Sequence, residues 1–310
     1  MAIGSGIGAS LGFATETTFN TAVTVTNFVE MNSESIQYNK KVAVGMGLRA
    51  GGQLPRSQRR VVTTKDATGD IMLDLPTKGG FGYLLSYAMG GTVQASGTYT
   101  LGDIYSHSFT TQIGVPQYGG TVTPKTISGC KISSWELSVA NGGIATGKFT
   151  IDGAGFTTAT SLATPSYPVA GSVFNFAQGA ITVDGTAVAN VKDFTLTVDN
   201  VIKGDRYNLG ASGTKSEQLI NGFRVITGKA TVEFTDTTLV TKYINDTETA
   251  LALTFTGPNS SVLSITVSAV KLDADTPNVQ GPGVIDLAVT FTAYDNGSAT
   301  PLTIVYTPEA

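Results

Sequence analysis

A single histidine, His107, and a single cysteine, Cys130, are the whole stock of these two residue types in a chain of 310 residues. One cysteine cannot close an intrachain disulfide, and no metal-ligand spacing can be built from it and one histidine. Cys130 reads as a small buried apolar thiol and His107 as a strand or surface residue. Ser/His/Asp chemistry would have to use His107, which sits in an alternating stretch without a nucleophile elbow. The opening Gly4-x-Gly6-x-Gly8 has the glycine spacing of a phosphate-cradling loop, but such a loop needs a strand before it and a helix after it, and neither is present. Asp273, Asp275 and Asn278 offer part of an oxygen set for Ca²⁺. No glycine stands at the sixth position and no Glu closes the loop, so the stretch reads as a solvated turn. Trp135 lies on the apolar side of an alternating strand and reads as core. No catalytic residue, metal site or cofactor is expected, and the chain reads as a non-enzyme.

The elements that must position whatever the surface does are strands. Hydrophobic residues make up 41% of the chain and charged residues only 14%, with 37 glycines, a mixture that favours strands and turns. Period-two alternation recurs at Ile71-Leu73-Leu75, through Ile132–Val139, at Phe194-Leu196-Val198, at Ala230-Val232-Phe234, at Leu251-Leu253-Phe255 and at Leu287-Val289-Phe291, as in antiparallel sheets with one buried face. Two short helices are expected, Gly79–Met89 and Thr237–Asn245, the second with Asp236 as N-cap. The N-terminal "MAIGSGIGASLGFATE" has no basic segment and no long apolar run, so neither a signal peptide nor a membrane anchor is expected.

The chain repeats itself. Thr68-Gly69 falls on Thr227-Gly228, Leu73 on Val232, Phe81 on Val240 and Leu85 on Ile244, a constant offset of 159 residues. Upstream, "SESIQYN" falls near "FTLTVDN", and each copy then carries a long polar, Gly-rich arm, residues 40–60 and 201–222. Downstream, "YSHSFTT" corresponds loosely to "LALTFTG" and "TGKFTIDGAG" to "IDLAVTFTAYD". The expected organisation is an extended N-terminal arm (1–28), a first β domain (29–160), a linker (161–172) and a second β domain (173–310). The expected fold is mostly β, two tandem antiparallel β-sandwich or barrel domains, each with one short flanking α-helix and a long hairpin arm.

Charge is unevenly placed. Net charge is −4, so the chain as a whole is no polyanion binder. From Lys40 to Lys65 there are seven basic residues and no acidic one, whereas Thr231–Ala310 holds nine acidic and two basic residues. A basic arm at one end and an acidic domain at the other suit head-to-tail attraction between copies. Lys40, Lys41, Arg49, Arg56, Arg59 and Arg60 are the candidate contacts, with Lys203 and Arg206 as weaker counterparts; a solvated arm and phosphate contact are the competing readings.

The stretches "SGCKISSWELSVANG", "SYPVAGSVFNFAQGAITVDGTAV", "VKDFTLTVDN", "RYNLG", "LINGFRVITGKATVEF", "PLTIVYT" and "SLGFATETTFNTAV" resemble the major tail (tail tube) proteins of long-tailed bacteriophages with non-contractile tails. The resemblance implies a β-sandwich with a short helix and a hairpin arm, in copies that form rings stacked into a tube through which DNA passes. It implies itself as the main partner, then tape measure and tail terminator or tip proteins, with DNA only transient in the lumen. The implied location is the virion tail, after synthesis in the host cytoplasm. Two domains in one chain predict a ring of three chains with pseudo-sixfold symmetry, a hexamer being the runner-up. The rival reading is a carbohydrate-binding or adhesin module, for which Tyr83, Tyr105, Tyr118 and Tyr207 are the candidate platforms.

Overall fold

The computed structural model describes residues 4–169, 171–274, 276–279 and 281–310. The fold is mostly β, with antiparallel strand pairs and two α-helices, Phe81–Met89 and Thr238–Ile244. Alternation in sequence becomes a sheet with two unlike faces. Along Val191–Asp199, Phe194, Leu196 and Val198 are buried while Thr195, Thr197 and Asp199 face the other way. Ile71 and Leu73 are likewise buried between Asp70, Met72 and Asp74.

Eight strands form one continuous sheet. In spatial order they are Gln37–Val44, Arg60–Asp74, Thr146–Gly153, the later part of Val122–Val139, Val191–Asp199, Val225–Glu233, Asp286–Ala293 and the later part of Val262–Ala274. The last four repeat the register of the first four. Gly69 faces Ile151 and Ile151 faces Ile132; Gly228 faces Phe291 and Phe291 faces Leu272. The second layer repeats too: Gln112 pairs with Gly12 and Thr126, and Ala252 pairs with Thr182 and Thr266.

The offset is 160 in the first strand of each hairpin, 159 in the second and 140 after the helix, because the first half carries the longer connection there. "YSHSFTT" therefore aligns six residues away from where the sequence comparison puts it, with Phe109–Pro116 matching Thr249–Thr256. The longer connection includes the strand Gly97–Thr100, which pairs with Leu302–Thr307 of the second half. It also covers the first helix, where Ser86 Oγ donates to the Gln94 carbonyl at 3.1 Å and Gly82 packs against the Ala95 carbonyl with no room for a Cβ. Eight of the nine residues of that helix are buried, whereas the second helix buries only Val240.

Two expectations are corrected. Residues 1–28 are not simply an extended arm, since Ser10–Thr15 is a strand buried on both faces, paired with Asn27–Val29 and Phe109–Pro116. The helix N-cap is Thr237 and not Asp236, although the Asp236 carboxylate accepts the Thr238 N–H at 2.7 Å. Trp135 and Cys130 are buried in the core, as the sequence suggests. Of the partial oxygen set, Asp273 and Asn278 are exposed and Asp275 lies outside the described residues.

Candidate functional site: two arms and an open-edged sheet

The first arm is a hairpin made by Gln37–Val44 and the start of Arg60–Asp74, with a bulge between Lys41 and Val42. Residues 45–59 form its tip, and every one of them is exposed. Lys40 and Lys41 lie on the outgoing strand, Arg49 and Arg56 at the tip, and Arg59 and Arg60 at the start of the return. All six are exposed, and among the described residues none makes an ion pair within the chain. Met46, Leu48 and Leu54 are exposed on the same tip. A tip that is both cationic and apolar has surface of two kinds to offer a partner.

The second arm behaves differently. It is closed by the short ladder Ile202–Lys203 with Leu219–Ile220 and folds back onto the first half. The Lys65 N–H donates to the Gly213 carbonyl at 2.9 Å. Lys215 is buried, with its ammonium between Asp152 and Asp66, and the Tyr207 hydroxyl donates to Asp66 at 2.7 Å. Gln218 Nε2 reaches the Asp152 carbonyl at 2.9 Å, and Glu217 accepts from Lys131 Nζ at 2.7 Å and from the Ser106 N–H at 2.6 Å. Burial pushes the Asp152 carboxyl up in spite of Lys215. Burial also works against Asp66, but there the hydrogen bonds from Tyr207 and Asn39 and the Lys215 charge win and hold its carboxyl below the usual range. Burial pulls the Lys131 ammonium down despite Glu217. Removing one member of such a group strands the other charge in a dry place.

The weaker candidates therefore have local partners. Lys203 pairs with Asp205 at 2.9 Å, and the Arg206 guanidinium donates to the Glu217 carbonyl. The Gly-rich, polar composition of 201–222 matches that of the first arm and predicts a second free one; Lys215 and Gln218, the residues that anchor it, carry no periodic signal. Of the four tyrosines, Tyr207 is committed to Asp66 and Tyr83 packs against the core, while Tyr105 and Tyr118 are exposed on separate loops.

The non-core face of the eight-stranded sheet is polar and hydroxyl-rich. Thr150 donates to Asp70 at 2.7 Å beside the Lys148–Asp70 pair, Ser138 and Thr146 bond at 3.0 Å, and Lys192 bridges Glu233 and Asp286. Asp66, Asp70, Asp74, Glu136, Asp193, Asp199, Glu233, Asp273 and Asp286 outnumber Lys41, Lys148, Lys192, Lys229 and Lys271 on it. At its two ends the sheet stops with strands paired on one side only, Gln37–Val44 and the end of Val262–Ala274.

A protein-family model described as "Phage tail tube protein" matches residues 6–293. The chain belongs to the phage tail tube protein family. Among curated proteins no relative matches it. The chain is thus a structural component of a phage tail, and its register-matched sheet halves, exposed basic arm and open strand edges are features of a self-associating subunit. Among the described residues, no helix of the chain is long and apolar enough to cross a membrane.

Proposed function

We propose that three copies close into a ring of six β modules, 29–160 and 173–310 from each chain, and that rings stack into the tube through which DNA is ejected. The observation that supports this best is the continuous sheet of two register-matched halves, open at both ends. A heterologous contact that repeats a fixed rotation either closes or runs on as a helix. Two like modules joined in one chain already embody that rotation once. Open edges, a hazard in a lone subunit, become the interface when neighbouring copies fill them.

The polar face of the sheet suits a lumen wall. A basic wall would hold phosphates by counterion release, and the excess of carboxylates with many threonines between them lets DNA slide. The basic tip carrying Arg49, Arg56, Arg59 and Arg60 reaches the next ring, with Lys40 and Lys41 on its stem, and meets the acidic second half of another copy. Lys203 and Arg206, with partners in their own chain, contribute less. Tape measure and terminator or tip proteins cap the two ends of the tube, and the chain is made in the host cytoplasm before joining the tail.

Negative-stain microscopy of purified protein tests the reading. Rings or tubes are expected; lone particles that bind glycans would favour the carbohydrate-binding alternative, for which exposed Tyr105 and Tyr118 are the remaining platforms.

A further inference from the structure

Residues 174–176, which lead into strand Gly179–Val183 of the second half, add themselves to the end of the first. The Phe174 N–H donates to the Leu75 carbonyl, the Phe174 carbonyl accepts from the Ala145 N–H, and the Phe176 N–H donates to the Gly143 carbonyl, each at 2.9 Å. Asn175 and Ile144 therefore face one another as a non-hydrogen-bonded antiparallel pair. Leu75, Ala145 and Phe174 are all buried, and the Phe174 ring packs on Phe255 of the second half at 6.0 Å.

The second half presents the same edge without a guest. The Phe234 N–H donates to the Ile285 carbonyl at 2.9 Å as the Leu75 N–H donates to the Ala145 carbonyl at 2.8 Å, so Gly283, Val284 and Ile285 are the equivalents of Gly143, Ile144 and Ala145. A closed antiparallel pair would return a second bond, from the Ile285 N–H to the Phe234 carbonyl. Neither half makes that bond: in the first Phe174 sits in the gap, and in the second, among the described residues, nothing in the chain bonds to the Phe234 carbonyl, the Ile285 N–H or the Gly283 carbonyl. Phe234 and Ile285 are only half-buried, and Val284 is 71% exposed.

The segment equivalent to 174–176 is residues 4–6. Gly12 faces Gln112 as Thr182 faces Ala252, and the same turn precedes both strands: the Ala9 N–H donates to the Gly6 carbonyl at 3.0 Å as the Gly179 N–H donates to the Phe176 carbonyl. Gly4 lies against Gln117 as the Phe174 ring lies against Gly257, the equivalent of Gln117. Gly4, Ser5 and Gly6 are exposed.

We propose that residues 4–6 of a second copy add to the 283–285 edge, latching chain to chain as residues 174–176 latch half to half. This rests on the ring-assembly reading above, in which the rotation that carries the first half onto the second carries residues 174–176 onto 4–6 of the next copy. The Gly4 N–H then donates to the Phe234 carbonyl, the Ile285 N–H to the Gly4 carbonyl and the Gly6 N–H to the Gly283 carbonyl. Gly4 brings no ring to match Phe174, so the backbone carries the contact and its register.

Two experiments test the latch. Ser5→Cys with Val284→Cys changes two exposed residues and places thiols at the equivalent of the Asn175–Ile144 pair, within disulfide reach; the native Cys130 is fully buried and does not compete. Oxidised rings or tubes of this variant are expected to run as covalent multimers on non-reducing gels. Assembled chains that stay uncross-linked overturn the latch and leave the ring reading standing. Gly6→Pro removes one donor at a position where a side chain meets nothing within 4 Å, so the chain is expected to keep the wild-type unfolding midpoint. It is expected to need about a fivefold higher concentration to assemble, the effect of losing roughly one backbone hydrogen bond at each contact; a folded variant that assembles at the wild-type concentration overturns the latch. Absence of any assembly by the wild-type chain sinks the ring reading and the latch with it.

Discussion

Trp135 and Val198 stand opposite one another across the seam where the two halves meet. Trp135 is 1% exposed and Val198 fully buried, and Trp135 is the only tryptophan in the chain. Its emission therefore reports on the seam. Val198→Asp puts a carboxylate into this apolar contact and is expected to cost about 3 kcal/mol or more. Urea unfolding followed by tryptophan emission checks it; a midpoint like that of wild type would show that the seam does not bind the halves together.

The folded-back second arm makes a separate prediction. Lys215→Met leaves Asp152 and Asp66 without their shared cation and is expected to lower stability by about 3–5 kcal/mol. Adding Asp152→Asn removes the stranded charge and restores part of the loss, which a double-mutant cycle by denaturant unfolding measures.

Acid sensitivity has an identifiable contributor in Asp184. Burial raises its carboxyl, but the Lys242 ammonium and the hydrogen bonds from the Ala250 N–H and Thr249 together outweigh this and hold it at about 2. Because this lies below the ordinary carboxylate value, the interaction is fully present above pH ~4 and is lost as pH falls toward 2. The Asp184 side chain is 44% exposed, and screening limits the cost of Asp184→Asn at pH 6 to about 1 kcal/mol or less. The gap between variant and wild type is expected to close by pH ~2 in unfolding curves taken across that range.

The basic tip bears on growth and not on folding. Arg56→Glu with Arg59→Glu reverses two charges that have no ion-pair partner among the described residues of the chain. The variant is expected to fold normally by circular dichroism and to give few or no tubes under microscopy. Tubes of normal length would contradict the role given to the tip.

Much of this is legible in sequence because strands with one buried face print their period directly. Thr68-Gly69 and Thr227-Gly228 mark the same place in two hairpins, and Gly69 and Gly228 have a common cause: a Cβ on Gly69 would lie 2.5 Å from the Ser35 carbonyl oxygen, and one on Gly228 2.6 Å from the Thr195 carbonyl oxygen, the same group of the paired strand. Ser10–Thr15 is hidden because both of its faces are covered, so no polar residue marks an outer side. Glu16 is hidden for a related reason: its buried carboxylate accepts from Ser108 and Thr110 hydroxyls, each at 2.8 Å, and from the Gly129 N–H at 2.8 Å. Those partners lie about a hundred residues away along the chain. The six basic residues of the first arm are legible as a charge run.

The central claim is that one chain supplies two equivalent modules of a closed ring. Mass per ring, measured on isolated rings or tubes by scanning transmission electron microscopy, tests it most directly. The account predicts three times the chain mass of 32.0 kDa for each ring repeat; a repeat of six chains would contradict it.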